Sequence, residues 1–119
     1  MTEEQFQQKC YVYAWNHESL FFRNRIFTIH NNAKNARQGL KLKSIGVLAG
    51  VPDMCIVLND QKVIWIELKK DDKQKLSLSQ NKLHLIWKMF NHKIYVINNF
   101  DDFIILINTI LKEYGGTNL

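Results

Sequence analysis

An acid, one spacer and a lysine follow one another three times in this chain, at Asp60-Gln61-Lys62, Glu67-Leu68-Lys69 and Asp71-Asp72-Lys73. Only the second closes an alternating run, Val63 to Lys69, in which a period of two sets Val63, Trp65, Glu67 and Lys69 on one side and Ile64, Ile66 and Leu68 on the other. Two charges therefore leave the end of a buried strand in one direction, and burying charge is costly unless it is partnered or used. Another carboxylate, Asp53, follows Pro52 at the start of the preceding apolar run, Met54 to Leu58. The two runs, joined by the polar Asn59 to Lys62, read as a β-hairpin, which lets a carboxylate at one strand's start converge with one near its neighbour's end. Oxygen donors of this kind suit Mg²⁺ or Mn²⁺, whereas zinc wants His or Cys. The four histidines, His17, His30, His84 and His92, have no ligand spacing. Taken from the residues alone, the pair stands open to two readings, a metal site or a cross-strand ion pair.

The elements that must carry this pair are legible from caps and periodicity. Thr2 with Gln5 makes a capping box, and Phe6, Cys10, Tyr13 and Ala14 recur at helical spacing, which predicts a helix from about Glu3 to Asn16 with Glu3 on its apolar face. Arg25 to His30 reads as a short strand ending at the turn-prone Asn31-Asn32. Ala33 to Ser44 is helical in pattern, with Ala36 and Leu40 inward and basic residues outward. Two glycines and a proline make Gly46 to Pro52 a loop. After the hairpin, the charged stretch Lys70 to Leu76 is expected to be a mobile loop. Ser77 with Gln80 is a second capping box, opening a helix with an apolar stripe of Leu83, Ile86, Trp87 and Phe90 and with Gln80 on the inward side. Lys93 to Ile97 is a strand, and Asn99 caps a last helix that turns Phe103, Leu106, Ile107, Ile110 and Leu111 to the core and stops at Gly115-Gly116. This order implies an α/β fold with helices on a mixed sheet. Trp15, Trp65 and Trp87, at strand or helix spacing within apolar faces, read as core rather than as base-stacking platforms.

Size and composition narrow the function classes. The 119 residues have room for one domain, expected over 3–114 with a flexible tail at 115–119. Hydrophobic residues at 46% and charged residues at 23% suit a folded globular domain and exclude a disordered tail or a fibrous repeat. The longest apolar runs, such as Phe103 to Ile107, are far below the roughly 20 residues of a membrane span. The first residues are acidic where a signal peptide is basic, so the chain is expected inside the cell, in the cytoplasm. Cys10 and Cys55 sit in apolar patterns without CxxC spacing and read as small core residues. The net charge of +5 is concentrated: residues 19–52 hold Arg23, Arg25, Lys34, Arg37, Lys41 and Lys43 without one acid, and residues 62–93 hold a second basic excess. A polyanion is the partner such clustering predicts, with a merely solvated basic surface as the bland alternative.

The motifs, taken together, resemble the VRR-NUC domains of the PD-(D/E)xK nuclease superfamily, in their small standalone, phage-like form. The resemblance runs from about Glu3 to Leu111 and is carried by Gly46-Val47-Leu48-Ala49-Gly50-Val51-Pro52-Asp53, then Ile66-Glu67-Leu68-Lys69, then Leu76-Ser77-Leu78-Ser79-Gln80, in that order. Ile29-His30-Asn31-Asn32 looks like the family's strand-to-loop segment, with Asn31 where the family has proline. The resemblance implies a restriction-endonuclease-like core and a metal-dependent DNA endonuclease. Asp53 and Glu67 would hold Mg²⁺ or Mn²⁺, helped by the main-chain carbonyl of Leu68, with Lys69 beside the attacking water. Gln80 would orient water or the lysine, or serve only as a cap. The family's first-helix glutamate, four before a glutamine, falls at Glu3 before Gln7 or at Glu4 before Gln8; Glu3 is favoured because it shares a face with Phe6 and Cys10, and an acid that is no ligand would merely complement the helix dipole. Lys34, Arg37, Lys41, Lys43 and Lys70 are the expected DNA contacts. The activity expected is that of a homodimer acting on branched DNA such as a four-way junction, in repair, replication or recombination. A non-catalytic DNA-binding module and a monomeric nicking nuclease within a larger complex are the alternatives. A toxin-like RNase lacks any supporting His-based pattern.

Overall fold

A computed structural model of the chain describes residues 1–30 and 34–115. Helix α1, Glu3–Trp15, starts where the capping box predicts: the Gln5 amide donates to Thr2 Oγ1 at 3.1 Å and the Thr2 amide to Gln5 Oε1 at 2.9 Å. Strand β1 is Ile26–Thr28, shorter than the expected Arg25 to His30. Single bonds extend its pairing at either end, from the Ile29 amide to the Asp53 carbonyl and from the Val57 amide to the Arg25 carbonyl, both 2.9 Å. Helix α2, Ala36–Ser44, follows an Asn35 cap. Strands β2, Met54–Val57, and β3, Val63–Leu68, form the hairpin; α3, Leu78–Met89, β4, Lys93–Ile97, and α4, Phe100–Tyr114, complete the chain.

The sheet order is β1-β2-β3-β4, antiparallel across the first two pairs and parallel between β3 and β4, which α3 connects as a crossover. One face, carrying Ile26, Met54, Ile56, Ile64, Ile66, Leu68 and Ile97, is covered by α1 and α4 through Phe6, Cys10, Ala14, Phe103, Ile107 and Ile110. This is the main core. On the other face Cys55, Trp65 and Ile94 lie in register, and α3 covers them with Leu83 and Trp87, whose ring is 4.8 Å from that of Trp65. The fold is thus a mixed sheet flanked by helices, as expected. Trp15, Trp65 and Trp87 are half-buried packing residues, with Trp15 stacked on Tyr11. Burial pushes the Cys10 thiol up to about 12, against a small lowering by Lys9, and that of Cys55 up to about 11. Both are inert core residues.

Two helices depart from expectation. In α2 no residue is buried, and Ala36 and Leu40 face solvent, Leu40 with 71% of its surface exposed. The helix packs on no other described element, so its periodicity marks a face with nothing opposite it. In α3 the inward residues are Leu83 and His84, while Ile86 and Phe90 are exposed. The helix is rotated so that positions 80, 83, 84 and 87, also a helical stripe, meet the sheet, with an imidazole where a purely apolar pattern puts an isoleucine. Lys70 to Leu76 folds as a turn around Asp71, whose Oδ1 accepts from the amides of Lys73 and Gln74. The expectations for Asn31, Asn32, Ala33 and residues 116–119 lie outside the described residues. No helix of the described residues is long and apolar enough to cross a membrane.

Candidate active site

The site begins with a backbone constraint. Gly50 has φ of +88°, and a Cβ there would lie 2.5 Å from the Ser79 carbonyl oxygen. Only glycine lets the loop before β2 press against the start of α3. Gly50→Ala is therefore expected to cost about 2 kcal/mol or more of stability, read as a lower urea midpoint. From this contact the chain passes the buried Pro52 and reaches Asp53, the residue before β2. The pairing of Met54 with Ile66, continued by one residue, sets Asp53 opposite Glu67. Asp53 Oδ2 accepts from the Leu68 amide at 2.8 Å, fastening this carboxylate to β3.

Glu67 is fully buried, and neither carboxylate oxygen has a hydrogen-bond partner. Burial first, then the adjoining Asp53 carboxylate and more weakly the charge of Glu3, push its pKa up to about 9, against a lowering by Lys69. The third acid comes from the first turn of α1: Glu3, Asp53 and Glu67 each offer an oxygen within 4.8 Å of the others'. Glu4 is exposed and outside this cluster. Three carboxylates this close repel one another unless protons or a cation intervene. The orphaned oxygens of Glu67 and the all-oxygen donor set fit a hard divalent cation such as Mg²⁺ or Mn²⁺. A cleft of about 540 Å³ opens beside Glu3, Asp53 and Gln80, with Gln7 and His30 also on its wall.

Lys69, with 8% of its surface exposed, continues β3 by donating its amide to the Ile97 carbonyl at 2.9 Å. Its Nζ donates to Gln80 Oε1 at 3.0 Å, and the same oxygen accepts from the Ser77 amide at 2.9 Å. Gln80 therefore caps α3 and holds the lysine at once, so the two readings of its role are not exclusive. Leu68 is buried between the two charged residues, its amide taken by Asp53.

The basic residues stand apart from the carboxylate cleft. Lys34, just before α2, and Arg37 and Lys41 on it line one shallow depression, and Lys43 is exposed on the same helix. Lys70 is exposed near Lys9, on the rim of a different depression. The site residue that sequence reasoning passed over is His84. It is buried beneath Glu67, with Nε2 at 3.8 Å from Oε1, and burial, then Lys88 and Lys69, lower its pKa against a small rise from Asp53. Its signal was the spacing from Gln80, four residues and hence one helix face, rather than any spacing to another ligand.

No protein-family model matches the sequence, and no curated protein matches it. Among solved structures the chain is similar to one titled "VRR_NUC domain protein", with a TM-score of 0.77 and 21% identity over 94% of this chain and 89% of that one. It is also similar to one titled "VRR_NUC domain", with a TM-score of 0.56 and 18% identity over 96% of this chain and 99% of that one. At such identities the likeness is one of fold, and it agrees with the family that the motifs around Asp53, Glu67, Lys69 and Gln80 resemble.

Proposed function

We propose that this chain, which has the fold of VRR-NUC domain proteins, is a Mg²⁺- or Mn²⁺-dependent nuclease that hydrolyses DNA phosphodiesters. The observation that carries the reading is the convergence of Glu3, Asp53 and Glu67, from three separate elements, beside a lysine held by Gln80. Asp53, Glu67 and Glu3 would hold the cation, with the Leu68 carbonyl as a further donor. A bound divalent cation supplies a more acidic water and a polarised phosphate. The chain's own residues do the rest. Gln80 fixes the Lys69 ammonium next to the acids, where it stabilises charge that grows on the phosphate as the bond breaks. The short bond from the Leu68 amide keeps Asp53 from turning away when its neighbours are ionised. DNA as substrate agrees with work inside the cell.

The test is incubation of duplex, flap and four-way-junction DNA with Mg²⁺, with Mn²⁺ and with excess chelator. Cleavage in either metal and none in chelator is expected. Full activity in chelator overturns the reading, and DNA held intact in Mg²⁺ points to a binding module instead.

The exposed cations of α2 would hold the phosphate backbone without reading sequence, as lysines and arginines along an open face do. Neutralising Arg37 and Lys41 together is expected to flatten the slope of log affinity against log salt by ~1 to 2, since each phosphate that a protein neutralises adds ~0.9 to that slope. The binding is measured in chelator, and an unchanged slope places the DNA elsewhere. Lys34, Lys43 and Lys70 would add to this surface.

The chain holds a single set of Asp53, Glu67 and Lys69, and resolving a junction takes two incisions. A two-fold homodimer acting on branched DNA supplies both sites. Light scattering is expected to give the mass of two chains, with paired cuts on a junction. A single-chain mass with isolated nicks favours a monomeric nicking enzyme.

A further inference from the structure

Four buried side-chain polar atoms among the described residues lack a hydrogen-bond partner, and all four belong to one facing pair: both oxygens of Glu67 and both ring nitrogens of His84. Orphans of this kind are costly and rare, and here two of the four, His84 Nε2 and Glu67 Oε1, lie 3.8 Å apart. The separation is about 1 Å longer than an N–H···O hydrogen bond, a gap that a small turn of either side chain closes. Asp53 and Glu3, when ionised, have no hydrogen to give Glu67; Asp53 can at most accept a proton that Glu67 itself carries, which still leaves the other Glu67 oxygen in need of a donor.

The spacing of the two elements makes the meeting systematic. Gln80 and His84 lie four residues apart on α3, a rise of ~6 Å. Glu67 and Lys69 lie two apart on β3, a rise of ~6.6 Å. Because Gln80 meets Lys69 and His84 meets Glu67, the helix runs antiparallel to the strand, as a crossover between parallel strands must. One helix face thus presents one polar side chain to each functional residue of the strand.

We propose that His84 is the positioning residue of Glu67, donating its Nε2 hydrogen to Oε1 and thereby holding the carboxylate toward Asp53 and Glu3. The proposal rests on the metal-site reading for its consequence, since a ligating carboxylate that is itself hydrogen-bonded is oriented before the cation arrives. The His84–Glu67 bond itself requires no metal.

Two measurements test it. In the metal-free protein, long-range ¹H–¹⁵N correlation of the histidine rings, with His84 identified by its loss in His84→Gln, is expected to show the Nε2-protonated tautomer at pH 8. The Nδ1-protonated tautomer overturns the proposal. Calorimetric titration with Mn²⁺ is then made on the wild type, His84→Leu, His84→Gln and His84→Asn, each checked for folding by circular dichroism. His84→Leu is expected to weaken Mn²⁺ binding ~10 to 100-fold. His84→Gln, whose amide nitrogen reaches close to the place of Nε2, is expected to restore it to within a few-fold, and His84→Asn, whose amide ends near Nδ1, is not. Wild-type affinity in His84→Leu, or no difference between the Gln and Leu variants, overturns the proposal. A wild type that binds no Mn²⁺ overturns the metal reading and the orienting role built on it, while the tautomer still reports whether the bond exists.

Discussion

Glu67→Gln is expected to cut DNA at least about three orders of magnitude more slowly than the wild type while folding normally, a loss equivalent to ~4 kcal/mol of transition-state stabilisation. The substitution keeps the shape and removes the charge at the most deeply buried of the three clustered acids. Asp53→Asn is expected to lose as much, but for two reasons at once, since the Oδ2 that accepts from the Leu68 amide is also replaced or turned. Lys69→Ala should lose ~10² to 10³, the range for removing one group that stabilises developing charge, with substrate binding little changed. Single-turnover cleavage of a labelled duplex in Mg²⁺ separates these variants from wild type, and cleavage by Lys69→Ala at the wild-type rate refutes the assignment of that lysine.

The second large effect is on stability, and it has a sign that surface acids do not share. In the metal-free protein the folded state holds Glu67 protonated up to about 9, whereas the unfolded chain gives the proton up near 4.5. Across that window the folded state binds the extra proton, so stability is full below about pH 4.5 and falls as pH rises toward 9. His84, with its pKa lowered by burial and the nearby Lys88 and Lys69, contributes in the opposite sense at lower pH, and the buried thiols contribute only above their usual 9.0. The interval from pH 7 to 8.5 therefore isolates the acid cluster. In chelator, urea denaturation is expected to show the wild type losing stability across that interval and Glu67→Gln gaining a few kcal/mol over it at pH 8.5. Mg²⁺ should stabilise the wild type, by ~2.7 kcal/mol at a hundred times its Kd, and leave Glu67→Gln where it was. A wild type whose stability is level from pH 7 to 8.5 in chelator would mean that Glu67 is ionised in the fold without metal.

What the residues disclose about the fold follows from how local each signal is. The boxes at Thr2 and Ser77 and the cap at Asn99 place three helix starts correctly because each is a bond within three residues. The convergence of Asp53 with Glu67 is legible because hairpin register is set by short-range alternation. Periodicity fails where it is asked about partners. It reports which residues share a face, not whether anything lies against that face, and so it turns Leu40 and Ala36 inward on a helix that has no neighbour among the described elements. His84 escapes for the converse reason: hydropathy counts an imidazole as polar, and the carboxylate that it faces lies seventeen positions earlier in the chain. The choice of Glu3 over Glu4 rests on the face shared with Phe6 and Cys10, and that face does lead to the acid cluster.

Because α2 buries nothing, it contributes little to the free energy of the fold, and its exposed Arg37, Lys41 and Lys43 answer to whatever they touch rather than to a core. On the proposed role of α2, adhesion to a polyanion and integrity of the folded chain would be nearly independent quantities. The cations of α2 could then be added, moved or removed to retune grip and salt tolerance, whereas the cleft allows no such drift, because one glycine and one glutamine hold its parts against one another.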